Sequence, residues 1–323
     1  MSGQPGGSAV RRVVDLAAEW FGSAYGLTAA AIRGVALLGR DRSVLVVGRD
    51  GASATLRLHA STLQGVDTIS SQLLSGSYET TTRRVLEMVV APGSTVVDVG
   101  ANVGYFTMLA ALLTGPTGRV VAFEPEPRNH ALLVANVAEN KLDQVHVIRA
   151  ACADRVGTHE LAVNTAESGW HRLVAADGSS NGLKRVPVTL TTVDAVLGDA
   201  RVDVVKIDVE GHEGSVLAGM ARTLAANPGV TVILEHSPAQ ARLAGLDPAA
   251  PLHQLAEAGL RHAYLVREDD AVLEEVDAEQ LGSRSTKTGR SINLVVRAQP
   301  WPADAAVRAV ARPMRSVWQP RTG

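Results

Sequence analysis

Carboxylates stand where apolar runs end in this chain, at the places a strand would deliver them to one edge of a sheet. Asp98 lies in V-V-D-V-G, Glu124 closes V-V-A-F-E, Asp208 closes V-V-K-I-D, and Glu235 with His236 closes V-I-L-E-H. Glu210, His212 and Glu213 follow Asp208 within the next turn of chain. Acids and imidazoles gathered this way can hold a cationic ligand, accept hydrogen bonds from hydroxyls, and take a proton from a weak nucleophile. Capping of a following helix accounts for Glu213 and for Glu210. It does not account for Asp208, which terminates an apolar strand.

One stretch narrows the ligand. Residues 96–104 read V-V-D-V-G-A-N-V-G and run into Y-F-T-M-L-A-A-L-L-T, a strand, a glycine turn and a helix. That is the first half of a nucleotide-type binding unit. A dinucleotide site wants a glycine in the middle of the turn, so that a pyrophosphate can approach the backbone. Asn102 stands there instead, between Gly100 and Gly104. Asn tolerates positive φ, so the turn survives, but its side chain fills space a diphosphate would need. Asp98 adds a negative charge that suits a cationic group better than a phosphate. S-adenosylmethionine, with an amino group, a sulfonium and no phosphate, fits this arrangement. Some two dozen residues past Gly100, Glu124 ends a second strand, where it can accept from ribose hydroxyls. Any adenosine cofactor needs that acid, so Glu124 supports the site without choosing between cofactors.

Asp98–Gly104, Phe123-Glu-Pro125 and the string Lys206-Ile-Asp-Val-Glu-Gly-His-Glu213 together resemble the FkbM family of S-adenosylmethionine-dependent methyltransferases, over Tyr78 to Arg297. The resemblance implies an α/β, class I (Rossmann-like) fold: a mostly parallel seven-stranded sheet whose last strand is antiparallel. It implies a hydroxylated small-molecule acceptor, a sugar, polyketide or other secondary metabolite. It also places the segment before the first motif against the cofactor, which makes Tyr78 and Glu79 candidate contacts.

Methyl transfer to a hydroxyl needs the acceptor oxygen aligned with the methyl carbon and its proton leaving. Two routes fit the residues. In one, His212 or His236 takes the proton while Asp208 or Glu210 orients the imidazole. In the other, Asp208 and Glu235 hold a divalent cation that acidifies the hydroxyl, with Mg²⁺ the metal suited to oxygen ligands. The metal-free route is the preferred expectation. A nicotinamide oxidoreductase and a non-catalytic cofactor-binding module are the competing readings, disfavoured by Asn102 and Asp98 and by the ionisable groups at two strand ends.

These residues need a frame, and the chain supplies one in order. Residues 1–75 read as an N-terminal extension: helical stripes over 9–21 and 28–38, then strands 43–47 and 54–59 around Arg49-Asp-Gly51, a hairpin signal. Residues 76–298 read as the methyltransferase domain, and 299–323 as an arginine-bearing tail. Within the domain, helices are expected over 80–90, 105–114, 126–140, 213–226 and 252–258. Strands are expected at 144–151, 158–163, 184–192, 202–208, 230–235, 262–266 and 292–297, after the first two at 96–99 and 118–124. The polar loop 164–182, with Trp170-His171 in its middle, has the make-up of a substrate lid.

Composition sets the remaining bounds. The chain has 323 residues, 46% of them hydrophobic, enough for a sizeable core. Thirty-one basic against 33 acidic residues leave no nucleic-acid-binding excess, and 3% aromatics argue against base stacking. Cys152 is the single cysteine, expected in the core and consistent with a reducing cytoplasm. No leader or membrane segment is expected. The first helical stripes could dock on the domain or make a homodimer.

Overall fold

Of the chain's 323 residues, the computed structural model describes 43–48, 51–58, 68–164, 171–175, 178, 180, 182–268, 272–277 and 291–301. The helices expected over 9–21 and 28–38, Trp170, and the tail beyond residue 301 lie outside the described residues.

Strands β1 (Ser43–Val47) and β2 (Ser53–Arg57) form the hairpin expected around Asp-Gly, paired antiparallel. Helices α1 (Thr68–Ser75) and α2 (Thr80–Val89) follow. Strand and helix then alternate: β3 (Thr95–Val99), α3 (Tyr105–Thr114), β4 (Arg119–Phe123), α4 (Pro127–Glu139) and β5 (Val145–Ile148). An insert of β6 (Ala151–Cys152), β7 (Gly157–Val163), β8 (Arg172–Leu173) and β9 (Lys184–Thr191) makes a separate four-stranded sheet. The alternation resumes with α5 (Val193–Leu197), β10 (Val204–Ile207), α6 (Glu213–Ala218), α7 (Ala221–Ala226), β11 (Thr231–His236), α8 (Pro238–Leu243) and α9 (Ala250–Glu257). Strands β12 (His262–Arg267), β13 (Val272–Val276) and β14 (Ile292–Arg297) close it.

The main sheet runs β13-β12-β14-β11-β10-β3-β4-β5. Strands β5, β4, β3, β10 and β11 are mutually parallel, and β14 lies antiparallel between β11 and β12. This is the class I, Rossmann-like order. The strands are short and rich in valine and isoleucine because both faces are covered. Val96, Val120, Val204 and Ile233 face one core, shared with α2, α3 and the β1–β2 hairpin. Val97, Val121, Val205 and Val232 face the other, under α5, α6, α7 and α9. Helix α3 is apolar nearly all round, as a helix enclosed on all sides should be. Among the described residues, no helix is long and apolar enough to cross a membrane.

Besides elements the sequence reading did not expect (α1, α5, α8 and β8), the structure departs from it in three places. The sheet has eight strands, not seven: the acidic segment after β12 folds back as β13 on the outer edge. The strand expected over 144–151 stops at Ile148, and Ala151–Cys152 join β9 in the insert. The helix expected over 213–226 is broken at Gly219–Met220. There the chain presses on Ala153, so close that a Cβ on Gly219 would sit 1.9 Å from that carbonyl oxygen. Asp194 donates its amide to the Gly219 carbonyl and accepts the amides of Arg222 and Thr223, which starts α7 afresh.

The hairpin has no core of its own, and side chains of α4 finish its edge. Asn136 Oδ1 accepts from the Arg57 amide (2.8 Å), and its Nδ2 donates to the carbonyls of Arg57 (3.1 Å) and Val103 (2.8 Å). One turn on, Asn140 pairs the same way with the amide and carbonyl of Thr55. Two asparagines at i and i+4 thus stand in for a neighbouring strand, and Asn136, fully buried, also grips the glycine turn through Val103. Asn136→Ala should cost about 2–4 kcal/mol, three bonds at about 1 kcal/mol each plus unpaired groups, read as a fall in thermal midpoint. A loss below about 0.5 kcal/mol would show that the hairpin docks by apolar contact alone.

Candidate active site

Strand order reverses between β3 and β10, and a crevice beyond the carboxyl ends of such a pair is where open α/β sheets bind ligands. Gly100 (φ +85°) leaves β3 with its amide on the Phe123 carbonyl, while the Asp208 amide leaves β10 on the Val99 carbonyl. The two chains pass so closely that a Cβ on Gly100 would lie 1.8 Å from the Asp208 carbonyl oxygen. Asn102 holds φ +51° at the turn's crest, as its residue type allows. Gly104 (φ +101°) caps α3, where a Cβ would meet Leu133 at 2.4 Å. The glycines are therefore dictated by backbone shape and by contact together.

A cavity of about 350 Å³ opens over this junction. Asp98, the turn Gly100–Val103, Phe123, Glu124 and Cys152 bound it on the β3–β5 side. Tyr78 and Glu79 close it from the start of α2. Asp208, Glu210, His212, Glu235 and Asn293 line the other side, with His171, Arg172 and Leu173 of the insert above them. Residues 171–173 of the expected lid loop are thus at the cavity wall.

These residues suit S-adenosylmethionine at identifiable atoms. Asp98 is 1% exposed; Thr107 donates to its Oδ2 at 2.6 Å, while Oδ1 is buried with no partner. A buried carboxylate oxygen without a donor is costly, and an ammonium would satisfy it. Glu124 is fixed by the amides of Asn102 and Glu126, both at 2.8 Å, which aims it from the strand end into the cavity. The positive φ of Gly100 brings backbone rather than side chain to the ligand.

Charge is sparing in the cavity. Lys206 donates to Asp208 Oδ2 at 2.8 Å and lies over the Phe106 ring at 4.8 Å from its centroid. Burial opposes the Lys206 charge, but Asp208, Glu79 and Asp98 outweigh it and hold the ammonium protonated. Burial opposes the Asp208 charge too, and Lys206 with a Glu235 hydrogen bond holds that carboxyl below its usual value. The other acids go the opposite way. Burial and the Asp208 charge push Glu235 well up, so it is the proton-bearing partner of Asp208. Burial raises Glu124 to about 8 and Glu210 to about 8, the latter helped by Asp208 and Glu213. Burial likewise raises Glu79 to about 7, against the pull of Lys206.

The histidines separate. His212 lines the cavity, its Nδ1 buried and without a partner, and burial with His159 and Arg172 lowers it to about 4. No bond from Asp208 or Glu210 orients its ring, contrary to the expected dyad; Glu210 stands apart at φ +50°. His236 is 1% exposed and outside the cavity wall, because successive residues of β11 point to opposite faces and Glu235 has the cavity side. Glu213 is buried below the site, accepting the Gly211 amide at 2.7 Å. Among the described residues, no three His, Cys, Asp or Glu side chains converge to hold a metal ion.

The sequence reading missed Lys206, Arg172 and Asn293 as cavity residues. A lysine inside V-V-K-I was the available signal, since a charge within a two-faced buried strand must have a partner. Asn293 and Arg172 carry no comparable mark.

A model of the FkbM methyltransferase domain matches residues 98–264. The chain is 35% identical to the 31-O-demethyl-FK506 methyltransferase FkbM of Streptomyces tacrolimicus, over 40% of this chain and 60% of that protein. It is 29% identical to the hexuronic acid methyltransferase AglP of Haloferax volcanii, over 54% of this chain and 68% of that protein. It spans 60% of the length of the first of these relatives, and likewise 60% of the methyltransferase sdnD of Sordaria araneosa. Among solved structures it is similar to a SAM-dependent O-methyltransferase from Thermotoga maritima, with TM-score 0.39 and 12% identity, covering 82% of this chain and 96% of that one.

The raised carboxyls set a pH dependence. Unfolding releases the protons that Glu79, Glu124, Glu210 and Glu213 retain to about 7, 8, 8 and 7. Their contribution is complete below the ordinary carboxyl value and is lost as pH rises through 7 and 8. The lowered histidines act only below their own ordinary value of about 6.5. The thermal midpoint of ligand-free protein should therefore fall between about pH 6.5 and 9, and a flat or rising profile would contradict these protonation states.

Proposed function

The chain belongs to the FkbM family of methyltransferases, and we propose that it binds S-adenosylmethionine at the β3–β10 junction and methylates a hydroxyl of a small molecule, a sugar or secondary metabolite. One observation carries this reading: a single cavity has the glycine turn, Asp98 and Glu124 on one side and Asp208, Glu210 and His212 on the other. When bound, the cofactor supplies an electrophilic methyl carbon on a sulfonium.

The protein's part is positioning and proton handling. Asp98 Oδ1 and Glu79 would take the ammonium, and Glu124 the ribose hydroxyls, with the Gly100–Gly104 backbone alongside. Asp208, neutralised by Lys206, cannot move without breaking a partly buried ion pair, and so gives the acceptor side a fixed dipole. Glu210 is the group best matched to accept the hydroxyl proton, since a base works best when its pKa lies near the working pH. His212, kept neutral by burial, lines the acceptor side. Asp208 already holds the Lys206 ammonium at 2.8 Å, which supports the metal-free route.

Calorimetric titration should show S-adenosylmethionine and S-adenosylhomocysteine binding, and NAD⁺ not binding. Glu124→Ala should weaken both by about tenfold or more, the loss of its hydrogen bonds to the ribose hydroxyls. Binding of NAD⁺ alone would sink the reading. With an acceptor in hand, Glu210→Gln should lower kcat by about 10²–10³ with little change in cofactor affinity. Wild-type kcat should rise with pH toward about 8. A Glu210→Gln enzyme at full rate would remove Glu210 as the base and leave His212 to that role.

A further inference from the structure

Glu79 precedes α2 in the left-handed conformation (φ 38°, ψ 53°), an unusual place for a side chain with a Cβ. As the N-cap it could accept the helix's first amides, yet it makes no capping hydrogen bond, and the first turn contains no acid. The orphan amides go elsewhere. Glu268, just past β12, accepts from the Thr81 amide at 2.6 Å through Oε2 and from the Thr82 amide at 3.0 Å through Oε1. The hydroxyls of Thr82 (3.0 Å) and Thr80 (3.4 Å) complete the set, and Thr81 Oγ1 reaches the Arg267 carbonyl. One carboxylate bonding two successive amides of the first turn does the capping from the end of β12, where the N-terminal dipole also favours its charge.

The Glu79 side chain points into the cavity instead. It shares a hydrogen bond with Tyr78 and meets Asn293 Nδ2 at 3.5 Å. The charged and titratable groups around it are Tyr78, Tyr105, Lys206, Asp208, Glu235 and Glu268.

We propose that Glu268 is a positioning residue: by capping α2 in trans it frees Glu79 from the helix and holds the Glu79 carboxylate in the cavity for the cofactor's ammonium. This rests on the proposed S-adenosylmethionine site, and it ties the outer β12–β13 edge of the sheet to the cofactor. Helix α2, pinned at its first turn to that edge, carries Tyr78 and Glu79 with it.

The test is a double-mutant cycle read by S-adenosylhomocysteine binding across pH 5.5–9, with the cycle itself isolating the coupling between the two residues. Glu268→Gln keeps the shape and removes the charge. Alone it should weaken binding about tenfold, while in a Glu79→Gln background it should change binding less than about twofold. Additive losses would overturn the proposal. The wild-type affinity should rise with pH through about 7 as Glu79 ionises. In Glu268→Gln that midpoint should move to lower pH, because the Glu268 charge helps keep Glu79 protonated; the weakening should therefore persist at pH 9, where Glu79 is ionised in both proteins, and full affinity there would mean a cap and nothing more. In ligand-free protein, amide exchange at Thr81 and Thr82 should quicken in Glu268→Gln. Unchanged exchange would overturn the cap. Quickened exchange in a protein that binds no S-adenosylhomocysteine would keep the cap and overturn the cofactor role. Thr82→Val, which removes one hydroxyl and keeps the Glu268 charge, should give a smaller loss of the same kind, and equal losses would contradict a charge-based role.

Discussion

No atom larger than hydrogen fits between the Cα of Gly100 and the carbonyl of Asp208. That contact fixes where β3 and β10 diverge, and with it the distance between the two sides of the cavity. Below it, the parallel register pairs Lys206 with Asp98 across the strands. The lysine therefore rises between the carboxylate of the cofactor side and that of the acceptor side. A side chain at residue 100 would force the strand ends apart and separate the Lys206–Asp208 pair from the turn. Asn136 holds the turn from behind, and Leu133 packs against Gly104.

Around that junction the protein concentrates acids without concentrating charge. One ion pair, Lys206 with Asp208, is fully formed; the neighbouring carboxyls keep their protons to near or above neutral pH. Burial does this, since each further ionisation would have to be held against Asp208 with little water to help. A cationic ligand changes the balance, because an ammonium can take a carboxylate from the protonated pool. Binding and proton release are then linked.

Much of this was legible in the sequence because it is local. The turn Gly100–Gly104, α3 to the residue, the β1–β2 hairpin and the acids at strand ends all follow from spacing and residue type over a few positions. What was not legible depends on partners far along the chain. Glu268 caps a helix nearly two hundred residues earlier. Asn136 and Asn140 read as ordinary polar helix positions until a strand edge lies beside them. Gly219 looks tolerable within a helix, and only the approach of Ala153 shows why the helix must break there. His236 misled for the reverse reason: it follows Glu235 in the same strand, and strand alternation sends only one of them to the cavity.

The central claim is that the cofactor and the acceptor meet over the Gly100–Asp208 junction. The most direct measurement is a crystal structure with S-adenosylhomocysteine bound. The account predicts ribose hydroxyls on Glu124, the ammonium within hydrogen-bonding reach of Asp98 or Glu79, and the sulfur facing Asp208 and Glu210. A ligand bound elsewhere, or one in this cavity that leaves Asp98 and Glu124 untouched, would contradict it.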